Sequence, residues 1–202
     1  SLLFLLTMLL AGMVLSNMVE EKSNKIIEIL AAAIPLESVF LGKLFAMLAM
    51  AMVGIVIWGL GGLAGALALG ANLPDLPAPA VGWPAFIVLC VVYFSTAYLI
   101  LGAIFLGIGS LANSVREVQT MSMPITMSQL VVFFYAMYVL PKMGEPIEIA
   151  ATMIPPVSPF AMVSRAAQDD RLWIHGVAVI GQLLFVMLVL RIGVLMFKRN
   201  VL

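Results

Sequence analysis

The chain has 202 residues, of which 64% are hydrophobic and only 10% charged, with ten Lys/Arg balanced by ten Asp/Glu. Soluble domains carry about 45–50% apolar and about 25% charged residues, so the solvent this composition suits is a membrane. The zero net charge supplies no basic surface and excludes a nucleic-acid role, while the single cysteine, Cys90, excludes an internal disulfide or a cysteine-based zinc cluster.

A helix that crosses about 30 Å of hydrocarbon needs roughly 20 apolar residues, and five stretches qualify. The first covers residues 1–19 and is stopped by Glu20 and Glu21. It starts uncharged at Ser1, unlike a secretory leader with its basic first region, so a preceding part of a longer protein is expected. The second covers 39–70 and carries Lys43 near its start. After it, LPDLPAPAVGWP at 73–84 holds four prolines and reads as a loop with Trp83 at a membrane interface. The third covers 85–112 and leads through a polar link, NSVREVQ at 113–119, to the fourth at 120–140. Pro124 is tolerated in the first turns of the fourth, and Pro141 ends it. The fifth covers 172–197, with Arg191 able to snorkel to the surface that Lys198 and Arg199 occupy.

Loop cations set the orientation. Lys22, Lys25, Lys43, Arg116, Arg191, Lys198 and Arg199 fall on one side, against Lys142, Arg165 and Arg171 on the other, while the acidic residues divide evenly. The first group is therefore expected in the cytoplasm, together with the C-terminus.

The cytoplasmic segment EEKSNKIIEILAAAIPLES, 20–38, reads as a short amphipathic helix over about 20–34 that stops at Pro35. Ile26, Leu30 and Ile34 lie four apart on one face, and Glu21 and Lys25 have the favourable pairing spacing. Glu37 or Ser38 is placed to cap the next helix. Two readings stand: a helix lying on the bilayer, or a docking element for a cytoplasmic partner, which its mixed charge favours.

The run MVEEKSNKIIEILAAAIPLESVFLGKL, 18–44, resembles the hallmark of type-2 ABC exporter permeases, above all their sodium-efflux permease-like branch. The resemblance is carried by Glu20, Glu21, Lys22, Glu28, Ile29, Leu30, Pro35, Gly42 and Lys43, and by the proline-rich IPPVSPFAMVSRAA at 154–167. It implies that Glu20, Glu21, Lys22, Lys25, Glu28, Ile29, Leu30 and Pro35 form a coupling helix gripped by a separate ABC ATPase subunit. ATP and magnesium would bind that subunit, leaving no cofactor on this chain, and a second permease chain would complete the assembly in a bacterial plasma membrane. No G-x-x-x-x-G-K-[ST] stretch is present, and Gly42-Lys43 runs into an apolar segment.

Between the last two spans, 145–168 is too proline-broken to cross a bilayer, yet Ile147, Ile149, Ala150, Met153 and Ile154 make an apolar stripe that is costly in open water. Pro155, Pro156 and Pro159 give a rigid bend, Ser158 is placed to cap the helix that follows, and Arg165 lies in that helix. The resemblance implies a re-entrant segment closing the outer end of the substrate path; a plain structural lid is the alternative.

The expected fold is thus all-α, a single five-span transmembrane domain with a coupling helix and a re-entrant outer segment. Its spans carry no carboxylate, which argues against a self-contained proton-coupled transporter. Ser95, Thr96 and Gln129 either line a path or bond neighbouring helices, and Gly61/Gly65 and Ala103/Gly107 are small-residue packing signals. Two other classes are a non-transporting membrane anchor and an intramembrane metalloprotease suggested by EEKSNK. The protease needs His ligands, and the chain has only His175, read as a surface residue at the outer edge of the fifth span, far from Glu20 and Glu21.

Overall fold

The computed structural model describes residues 2–23, 34–69, 77–111 and 115–201, and among these are helices, turns and short irregular links but no strand. In chain order the helices are α1 (Leu2–Ser23), α2 (Leu36–Ala68), α3 (Trp83–Leu111), α4 (Val115–Val139), α5 (Pro146–Met153), α6 (Ser158–Gln168) and α7 (Leu172–Val201). Four of them, α2, α3, α4 and α7, are long and apolar enough to cross a membrane, and the apolar part of α1, Leu3–Asn17, is shorter. The five expected apolar stretches are therefore all helical, with four meeting the full length criterion.

Charges and prolines shift the boundaries from those expected. Helix α1 runs past Glu20 and Glu21 to Ser23, because carboxylates end an apolar run without ending its hydrogen-bond ladder. Helix α4 begins at Val115, so most of the polar link is helical and Pro124 lies in the helix interior rather than its first turns. Neither expected cap forms. Pro35 precedes α2 in an extended conformation, and its carbonyl accepts from the Ser38 and Val39 amides at 2.9 and 3.2 Å.

Helix α3 is the centre of the bundle. Of its most apolar window 56% is buried, against 22% in α2 and 17% in α4 and α7, so the outer helices turn most of their apolar surface away from the protein. Tyr98, Leu101 and Leu106 of α3 pack with Val14 of α1 and Phe40 and Leu44 of α2. Approach is closest against α7, where a Cβ on Gly107 would lie 3.7 Å from the Gly193 Cα. The Ala103/Gly107 signal thus marks a real helix contact, whereas nothing lies within 4 Å of a Cβ on Gly61 or Gly65.

A second core forms where α1, α4, α5 and α6 meet. The Phe4 ring lies 4.6 Å from that of Phe133 and 5.5 Å, edge-on, from that of Phe160. The loop before α3 is fastened to the end of α6 by the Ala80 and Val81 amides, which donate to the Ala167 and Ala166 carbonyls at 3.1 and 3.3 Å.

Candidate functional site

The chemistry-bearing residues gather at the two ends of the bundle, with one polar chain between helices. At the first end, the Glu21 carboxylate of α1 pairs with the Lys43 ammonium of α2. Glu37, in the first turn of α2, pairs with Lys198 in the last turn of α7. The two pairs staple α1, α2 and α7 on either side of residues 24–33. Glu20 is exposed on the last turn of α1, and Lys22 lies on the same turn. Lys25, Glu28, Ile29 and Leu30 lie outside the described residues, as does most of the expected amphipathic helix. The Glu21–Lys25 pairing expected from spacing lies there too; the described partner of Glu21 is Lys43.

In the interior, Thr96 and Gln129 do not meet in one cavity. The Thr96 hydroxyl is buried on α3 and bonds at 2.8 Å to Gln182 Oε1 of α7, whose Nε2 donates to the Ser158 hydroxyl of α6 at 2.8 Å. This chain ties three helices. It also corrects the expected role of Ser158, which begins α6 with no side-chain cap bond because its hydroxyl is turned to Gln182. Ser95, one residue from Thr96 and so on another face, donates back to the Val91 carbonyl at 2.7 Å. Gln129 is buried on α4 beside a cavity of about 10 Å³ shared with Thr7 and Pro156, about the room of one water.

At the opposite end, α5 and α6 fold over the bundle, with the half-buried Pro155 and Pro156 in the bend and Pro159 buried in the first turn of α6. Arg165 is buried there. Its Nη1 donates to both Glu148 oxygens at 2.9 Å, and its Nε and Nη2 donate to Asp169 Oδ2 at 3.2 Å. Glu148 also accepts from the Gly144 amide at 3.2 Å, in a turn whose φ of 87° suits glycine. Arg171 completes the cluster, reaching Asp169 Oδ2 at 2.7 Å through Nη2. The Arg171 guanidinium, with its backbone amide and the Arg165 guanidinium, holds the Asp169 carboxyl well below the usual carboxylate range. The apolar stripe is only partly covered: Ile147 packs into the second core, while Met153 is 76% exposed.

His175 departs from the surface role expected of it. It is 2% exposed, and its Nδ1 lies 2.6 Å from the Tyr93 hydroxyl, while its Nε2 bonds to no described residue. About 35 Å of helix separates it from Lys198 at the Glu20–Glu21 end, so the metalloprotease constellation does not assemble. Among the described residues no group of His, Cys, Asp and Glu is placed to hold a metal ion.

Long apolar helices packed around α3, with the described ion pairs gathered at the two ends, define a multi-pass membrane protein. The chain belongs to the ABC-2 family of transporter proteins, whose family model matches residues 1–196. It is 23% identical over 208 residues to an uncharacterized protein of Methanocaldococcus jannaschii, covering 98% of this chain and 49% of the relative. The chain thus spans about half the length of the curated relative it matches. No solved structure matches it.

Proposed function

We propose that the chain is the membrane-spanning part of an ABC exporter permease, driven by a separate ATPase that docks on residues 20–34. The observation that carries this reading is the pair of ion pairs at one end of the bundle. Glu21–Lys43 and Glu37–Lys198 fasten both flanks of that segment to α1, α2 and α7, so a push on it is delivered to three membrane helices at once. The same end carries the cationic excess expected of a cytoplasmic face, which supports a C-terminus inside and an Arg165 cluster outside.

In this scheme ATP and magnesium act on the ATPase, two permease chains pair in the plasma membrane, and closure of the ATPases favours an outward-open state. The cargo is sodium or another small solute. The re-entrant pair α5–α6 closes the outer end of the path; Thr96–Gln182–Ser158 is the contact that a shift of α7 against α3 must break.

The test is ATP hydrolysis and transport by the full-length permease and its ATPase in lipid vesicles. Glu21→Arg with Leu30→Asp should abolish stimulation of the ATPase while leaving the protein inserted and folded. A non-transporting anchor predicts unaltered hydrolysis in that variant, and wild-type rates for both activities would reject the docking role.

A further inference from the structure

Between α2 and α7, at the Lys198 end, lies a cleft of about 460 Å³ lined by Glu37, Leu41, Met187, Leu190, Arg191, Val194 and Leu195. Its walls are aliphatic and it opens sideways, where Met187 and Leu195 are exposed on the outer face of α7. Its two ends differ electrically. At the mouth, Glu37 is neutralised by Lys198, which bridges the two helices. Farther from that mouth, Arg191 lines the cleft as an exposed side chain about 15 Å of helix from Val201, and no described carboxylate pairs with it. A guanidinium at this depth in an apolar wall is costly unless it meets an anion or reaches the interface. With Glu37 cancelled by Lys198, the cleft keeps one net positive charge above an aliphatic bed.

We propose that this cleft is a binding site for an anionic phospholipid, with the headgroup phosphate on the Arg191 guanidinium on its interfacial side and one acyl chain running inward along Leu190 and Met187. The chemistry matches at both ends. Guanidinium pairs with phosphate through two parallel hydrogen bonds, and basic pockets between membrane helices near an interface suit anionic headgroups. A zwitterionic lipid offers the same tails but sets its own cation beside Arg191 and Lys198, so selection falls on headgroup charge. The site requires only that α2 and α7 lie in a bilayer, and it stands apart from the transport reading.

The experiment is native mass spectrometry of the full-length protein released from nanodiscs of equimolar phosphatidylglycerol and phosphatidylcholine. Wild type should retain phosphatidylglycerol preferentially, and Arg191→Gln should lower that retention about fivefold, the worth of one basic residue at an anionic surface. Arg191→Lys should keep part of the preference, and the exposed Arg199→Gln should leave it intact. Met187→Trp, which fills the bed without altering charge, should lower retention of both lipids, and melting temperatures of all variants separate lipid loss from misfolding. Added inorganic phosphate should not displace the lipid. Equal retention of the two lipids by wild type, or unchanged selectivity in a folded Arg191→Gln protein, would overturn the proposal. So would a Leu195→Cys homodimer cross-link formed without lipid selectivity, which would assign the cleft to a second copy of the chain.

Discussion

Arg165 holds Glu148 through a single nitrogen, Nη1, that lies 2.9 Å from both carboxylate oxygens, and this one contact locks α5 to α6 across a bend containing Pro155 and Pro156. Both side chains are buried, at 9% and 5% exposure, and removing Arg165 leaves the Glu148 carboxylate with only the Gly144 amide, whereas Arg165 without Glu148 would keep Asp169. Arg165→Ala should cost about 3–5 kcal/mol, the usual penalty for breaking a buried pair. Arg165→Lys should recover only part of that, because one ammonium replaces a fork that serves Glu148 and Asp169 together. Thermal unfolding in detergent measures both, and a melting point unaltered in Arg165→Ala would contradict the lock.

Asp169 gives this end a defined acid sensitivity. Its folded carboxyl is held below the ordinary 3.8, first by the Arg171 side chain and then by the Arg171 amide and Arg165. A depressed folded value means that the unfolded chain takes up the proton first as pH falls. The stabilisation is therefore complete above about pH 4 and is lost as pH falls further towards the folded value. The gap in melting temperature between wild type and Asp169→Asn should stay constant from about pH 8 to 5 and shrink below about pH 4. An equal gap at both extremes would show that the carboxylate is not held in this way.

The Thr96–Gln182–Ser158 chain should be worth little individually and more jointly. Hydrogen bonds between membrane helices average about 0.6 kcal/mol, so Gln182→Leu, which severs two, should cost about 1 kcal/mol. Thr96→Val added to it should then cost less than Thr96→Val alone. Strict additivity in that double-mutant cycle would deny the coupling.

Two glycines should respond unequally to alanine. A Cβ at Gly193 would stand 2.7 Å from the Phe40 ring and 3.3 Å from the Ala103 carbonyl oxygen, neither of which yields easily. A Cβ at Gly102 would stand 2.7 Å from the tip of Leu44, which has other rotamers. Gly193→Ala should cost about 1–3 kcal/mol and Gly102→Ala less. Phe40→Leu should partly rescue the former. Equal unfolding profiles for the two alanine variants would contradict this account of the α2–α3–α7 contact.

How far the sequence discloses these features follows from their range. Apolar runs and proline positions are local, and they lie within a few residues of the bounds of every long helix, except where Glu20, Glu21 and residues 115–119 continue as helix. Arg165 and Asp169 stand four apart, a spacing that signals a helical pair before any fold is known. Glu148 is 17 residues from Arg165 and enters the cluster only through the proline bend. Gln182 is 86 residues from Thr96, and Tyr93 is 82 from His175; such pairings are set by which faces of α3 and α7 meet, which hydropathy does not encode. The roles of Ser158 and His175 differ from expectation for the same reason: the partner of each stands on another helix, beyond the reach of its sequence neighbours.

The central claim is that the segment between α1 and α2 is held by an ATPase, and contact between the two tests it most directly. In a Cys90→Ser background, Ile29→Cys should cross-link to a cysteine in the groove of the partner ATPase in membranes of the full-length complex, and nucleotide should alter the yield. An Ile29→Cys side chain that is labelled from outside the cell by a membrane-impermeant thiol reagent, and that never cross-links to the ATPase, would contradict the account.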